Sequence, residues 1–180
     1  MTRGDQPEQM ARILESLLPY DEVIVWDNSQ REDRMVAGRF AAMAEARNRI
    51  CYTQDDDTLV PPATQLALLD AWQEGYTVAV YGHHESDGGY GTLLPLVCGG
   101  GLFDRDLARE AMENYDAEYG WGRDEEAYVD FLVGVQIPFI HIHEPFQINM
   151  PVAQHPSRLC NQPWAADAKR RVTDQALAIT

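Results

Sequence analysis

The sequence predicts an α/β fold with a mostly parallel sheet flanked by helices. Three observations predict it: short β-branched runs alternate with amphipathic helical stretches, proline and glycine fall between them as turns, and no repeat or low-complexity tract breaks the series. At 180 residues the chain has the length of one domain, and its 45% apolar residues suffice for a core.

The elements follow in order. Residues 7–18 read as a helix that Asp5 can cap and Pro7 can begin, with Met10, Ile13, Leu14, Leu17 and Leu18 on one face. Residues 22–26 (EVIVW) read as a strand closed by the turn Asp27-Asn28-Ser29. The Ala-rich stretch 38–48 reads as helix, and 49–53 as a strand that ends directly in Gln54-Asp55-Asp56-Asp57. A helix begun by proline and stopped by glycine is expected over 61–75, then a strand over 76–81. Residues 83–91 (HHESDGGYG) form a polar, glycine-rich loop, followed by a strand over 92–98 and Gly99-Gly100-Gly101. Helices over 104–115 and 123–133, a strand over 137–143 and an amphipathic helix over 164–177 complete the chain. In such sheets ligands bind beyond the carboxyl ends of the strands, where the acidic and glycine clusters fall.

Charge narrows the function classes. Fourteen Lys and Arg against 29 Asp and Glu give a net charge of −15, which opposes free-standing binding to nucleic acid or to anionic lipid. Cys51, Cys98 and Cys160 are odd in number and widely spaced, so neither a disulfide framework nor a zinc ribbon is suggested. The amino-terminal residues contain no apolar leader core, and no run is long enough to span a membrane. The expectation is a soluble, cytoplasmic protein.

Three clusters could carry chemistry. Asp55-Asp56-Asp57 places three mutually repelling carboxylates at a strand end, where a hard divalent cation would relieve the repulsion; a solvated turn capping the next helix is the plainer reading. Trp121-Gly122-Arg123-Asp124-Glu125-Glu126 sits at a helix start, where the dipole favours acids and where a carboxylate of raised pKa could act as a general base. The glycines at 99–101 allow close backbone approach to a ligand, and equally a simple turn. His141, His143 and His155 become ligand candidates only beside a metal.

Taken in order, these pieces resemble a GT-A glycosyltransferase of the family-2 type, in the small form found in phages and bacteria. The resemblance runs from Thr2 to about Trp164. TRGDQPEQMARILESLLPYDEVIVWDNS is similar to the family's opening, MAEARNRICYTQDDDTLVPP to its D-x-D segment, GGGLFDRD to its glycine-rich segment, and GWGRDEEAYVDFLVG to its W-G-x-E-D segment. The resemblance implies one GT-A (Rossmann-like) domain over 1–180. Residues 1–98 would be the nucleotide-sugar half, 99–163 the acceptor and catalytic half, and 164–180 a terminal helix.

It also implies roles. Asp57 and Asp55 would hold Mn2+ or Mg2+ against the diphosphate of a UDP-, GDP- or dTDP-sugar, with Asp55 alternatively reaching the ribose and Asp56 beside them. Thr2, Arg3, Asp27 and Asn28 would line the nucleoside pocket, Gly100 would lie beside donor and acceptor, and Arg158 would meet phosphate. Glu125 would be the catalytic base and Asp124 would hold the acceptor, an arrangement that favours inversion. His155, or His143 at a strand end, would be a further metal ligand. The acceptor is open among glycan, protein and modified nucleic acid, with no membrane insertion and with a homo-oligomer as a further option.

Two departures from the family pattern stand out. The acid pair is Asp124-Glu125 where the family has E-D, so either acid can be the base. The family's central first strand, which precedes T-R-G-D, has no counterpart here; either an upstream segment or another part of the chain takes its place. Competing readings are a nucleotidyltransferase on a similar fold and a degenerate nucleotide- or glycan-binding module.

Overall fold

The computed structural model describes residues 2, 4–80, 100–118, 128–144, 147–148 and 162–179. Helix α1 (Pro7–Ser16) carries proline in its first turn, where a missing N–H costs nothing, and buries Ile13. A short turn (Met35–Ala37) leads into α2 (Gly38–Glu45). Then come β1 (Ile50–Thr53), β2 (Thr58–Leu59), α3 (Pro62–Ala71), β3 (Thr77–Val80), β4 (Gly101–Asp104) and α4 (Arg105–Glu118). The series ends with α5 (Val129–Val135), β5 (Phe139–Ile142), β6 (Gln147–Ile148) and α6 (Ala165–Ile179). Among the described residues no helix is long and apolar enough to cross a membrane.

The fold is α/β as expected, but the sheet is mixed rather than mostly parallel. Among the described residues its order is β1-β4-β3-β5: β4 runs antiparallel to both β1 and β3, and β3 runs parallel to β5. The cause is residues 101–104, which read as a glycine turn running into a helix. They form instead a fully buried strand between β1 and β3, with Gly101 opposite both Thr53 and Ala79. A buried four-residue strand has too few residues to show a period, so the pattern could not reveal it. A separate pair, β2 with β6, is also absent from the sequence reading.

The segment 22–26 departs as well. It joins no ladder; its end is held by one parallel bridge between Thr2 and Asp27. The expected loop 83–91, the strand 92–98 and the first half of the helix 123–133 lie outside the described residues.

Alternation along the strands builds two cores. Cys51, Ala79 and Phe103 face one way, with Phe40 and Met43 of α2 and buried residues of α4, α5 and α6. Phe40 and Phe103 meet edge to face at 5.7 Å. Val78, Val80 and Leu102 face the other way, with Leu68 of α3 and the partly buried Tyr52. Asp104, at the end of β4, starts α4: its Oδ1 accepts from the Asp106 N–H (3.0 Å) while Oδ2 pairs with Arg49 (2.7 Å). Gln65 of α3 is wholly buried and fixes the end of α1. Its amide donates to the carbonyls of Ser16 and Val60, and its carbonyl accepts from the Leu18 N–H and the Tyr20 hydroxyl.

Candidate functional site at the end of β1

The acidic turn is held by the strand that leads into it. Tyr52 is itself stacked on Tyr20 at 5.5 Å, and burial pushes its phenol well above the usual range. Its hydroxyl donates to Gln54 Oε1 (2.6 Å), and Gln54 Nε2 donates to the Thr58 carbonyl (2.9 Å), closing residues 54–58 into a fixed loop. Gly100 belongs to the same support. It has φ +101°, and a Cβ there would lie 3.1 Å from the Tyr52 hydroxyl, so the glycine lets the chain pack on Tyr52.

Within the loop the three acids differ. Asp55 is paired with Arg39 of α2, whose guanidinium is almost completely buried. Asp57 is buried and accepts from the Thr58 hydroxyl (3.1 Å). Asp56 is half-buried in the turn. Capping of α3 by Asp57 or Thr58 does not occur, since Pro61 occupies the cap without a side-chain bond. A fourth carboxylate, Asp130 of α5, lies in the field of both Arg39 and Asp55. Burial pushes its pKa up to about 6, with Asp55 raising it further and Arg39 opposing.

The residues at 26–28 reach the same place. Trp26 packs on Gly38, the residue before Arg39, so closely that a Cβ on Gly38 would lie 2.5 Å from Trp26 Cδ1. The Thr2 N–H donates to the Trp26 carbonyl (2.7 Å), and the Asn28 N–H donates to the Thr2 carbonyl (2.9 Å). Asp27 Oδ1 accepts from the backbone and hydroxyl of Ser29 at 2.8 and 2.7 Å. The Asn28 side chain works as a clamp: Oδ1 accepts from Trp26 Nε1 and the Arg34 N–H, and Nδ2 donates to the Met35 carbonyl. Met35 has φ +46°, an uncommon conformation for a side chain of its size, and that clamp restrains it. Trp26, Arg39, Asp55 and Asp56 line one groove.

No family model, curated protein or solved structure matches this chain.

Of the residues expected at the site, Thr2 bridges Asp27, Asn28 donates to the Met35 carbonyl ahead of α2, and Asp55 pairs with Arg39 in the first turn of α2, with Asp56 and Asp57 following Asp55 in the same turn. Gly100 supports them through Tyr52. His143 is exposed just after β5, at the edge of the sheet opposite β1. Arg3, Asp124, Glu125, His155 and Arg158 lie outside the described residues. Arg39 and Asp130 escaped the sequence reading. Arg39 looked like one more solvated charge on an Ala-rich helix. Asp130 had a signal: it is the one charged residue in the apolar run VDFLVGV, and such a carboxylate is seldom buried without purpose.

Among the described residues no three His, Cys, Asp or Glu side chains group to hold a metal ion. The donor set at 55–57 is one short run of carboxylates, of which Asp55 pairs with Arg39 and Asp57 accepts from the Thr58 hydroxyl. It does not by itself form an all-protein cage.

Proposed function

We propose that this protein is a metal-dependent, inverting glycosyltransferase of GT-A type, transferring a sugar from a nucleotide-sugar donor to an acceptor hydroxyl. One observation carries the reading. The end of the 22–26 segment, with Thr2, Asp27 and Asn28, meets the carboxylates beyond β1 across the first turn of α2. Polar groups that can meet a nucleoside, next to carboxylates that can meet a cation, are what a nucleoside diphosphate with its cation requires.

Asp57 and Asp55 would hold Mn2+ or Mg2+, which when bound offsets the charge gathering on the departing diphosphate. Arg39 fixes one carboxylate oxygen of Asp55 and so sets the direction of the other. Thr2, Asp27 and Asn28 would bound the nucleoside side. In the reaction the acceptor oxygen bonds to the anomeric carbon as the carbon–diphosphate bond breaks, and Glu125 or Asp124 takes the hydroxyl proton. Displacement by such a base from the face opposite the leaving group inverts the anomeric centre.

The test is nucleotide-sugar hydrolysis with a panel of UDP-, GDP- and dTDP-sugars and Mn2+. Slow release of free nucleoside diphosphate is expected, abolished by EDTA and by Asp57→Ala. Binding without release would make the protein a binding module. Release of pyrophosphate from a nucleoside triphosphate and a sugar phosphate would make it a nucleotidyltransferase.

A further inference from the structure

The resemblance puts Asn28 in the nucleoside pocket, but its side chain is committed within the protein. Oδ1 accepts from Trp26 Nε1 (3.0 Å) and from the Arg34 N–H (3.2 Å), and Nδ2 donates to the Met35 carbonyl (3.2 Å). These three bonds use both lone pairs of Oδ1 and one of the two Nδ2 hydrogens.

Together they hold a brace across α2. Trp26 is buried, and its ring meets Gly38 at the start of that helix. A Cβ on Gly38 would lie 2.7 Å from Nε1, the atom that Asn28 holds. The guanidinium of Arg31 lies 4.7 Å over the same ring and donates to Glu45, the last residue of α2 (2.8 Å). Residues 26–31 therefore touch α2 at both ends. The way back into the helix is fixed too: Met35, at φ +46°, has its N–H held by Asp33 Oδ1 (3.1 Å) and its carbonyl by Asn28. A left-handed conformation is disfavoured at methionine, so it depends on such holds.

The brace bears on the acidic turn through one residue. Gly38, against which Trp26 sits, is followed by Arg39, the partner of Asp55. The Arg39 side chain is almost completely buried, and a close-packed guanidinium has little room to re-aim. The position of the first turn of α2 thus sets the position of the Asp55 oxygen that Arg39 holds.

We propose that Asn28 is a positioning residue: it sets Trp26 and the 29–35 loop, and through Gly38 and Arg39 it sets Asp55, without its side chain reading the base. The proposal rests on the reading above only in that Asp55 serves a nucleoside diphosphate and its cation.

Two measurements test it. In the protein without ligand, Asn28→Ala should speed hydrogen exchange at the Trp26 indole N–H and at Arg39 Nε–H about tenfold or more. Trp26→Phe, which keeps an aromatic ring against Gly38 but no N–H, should do the same at Arg39. It carries the test alone should Asn28→Ala not fold. Unchanged exchange at Arg39 overturns the brace, whatever the protein binds.

The second measurement is calorimetric affinity for UDP, GDP and dTDP, each with Mg2+. For a nucleotide that the parent binds, each single variant should weaken affinity about tenfold, and the double variant no further, because both cut the same path. Losses that multiply in the double variant, or a loss confined to Asn28→Ala, would make Asn28 a direct ligand and overturn the proposal. If the parent binds none of the three, the glycosyltransferase reading falls, while exchange at Arg39 still decides the brace.

Discussion

The guanidinium of Arg39, itself nearly solvent-free, donates to the carboxylate of Asp55 at the mouth of the acidic turn. The pair joins α2 to the loop after β1, and Asp130 of α5 sits in the field of both. Arg39→Ala would leave two carboxylates facing each other without their cation. Breaking a buried pair by removing one partner costs roughly 3–5 kcal/mol; because Asp55 retains some solvent contact, the lower end is expected. Urea denaturation measures it. An unchanged midpoint would show that solvent already screens the pair.

Asp130 makes stability depend on pH in a direction opposite to that of an ordinary ion-paired carboxylate. Its folded pKa is pushed up to about 6, above the roughly 3.9 of an unfolded aspartate. Between these values the folded state keeps a proton that the unfolded chain has lost. Its contribution is therefore complete below about pH 4 and is lost as pH rises through about 6, on the order of 3 kcal/mol in all. Denaturation in EDTA at pH 4, 5, 6 and 7 should show this slope in the parent protein and a flatter one in Asp130→Asn.

Gly38 opens a helix, where alanine would ordinarily add up to about 1 kcal/mol. Here the added methyl would lie 2.5 Å from the ring of Trp26. Overpacking of about 1–3 kcal/mol outweighs the helix gain, so Gly38→Ala should lower the melting temperature. A rise would mean that Trp26 can swing away freely.

Gln65→Leu is close in volume but leaves the Ser16 and Val60 carbonyls without their donor and the Leu18 N–H and Tyr20 hydroxyl without their acceptor. A loss of about 2–3 kcal/mol is expected. Tyr20→Phe alone should cost less, and in combination with Gln65→Leu should add almost nothing, because the shared bond is already gone.

The legible parts of the fold are those with long or chemically marked patterns. Proline at the start of α1 and α3 and the apolar faces of α1 and α6 placed those helices within a few residues. β1 and the acids beyond it were equally plain. Four-residue strands such as β4, and the two-residue pair β2–β6, are shorter than the period that would reveal them. Residues 22–26 have the composition of a strand yet join no ladder, because composition states what a segment can pair with and not whether its neighbour is there.

By itself the sequence determined the α/β class, the order of most helices, and the presence of carboxylates at a strand end; these are local properties of short stretches of chain. Tertiary structure alone decided that the sheet is mixed, that Arg39 and Asp130 join Asp55, and that an apolar groove separates residues 22–26 from β1. Each of these depends on residues far apart in the chain meeting across strands and helices. Burial and backbone pairing, which turn an ordinary arginine or aspartate into part of a site, arise only from such meetings.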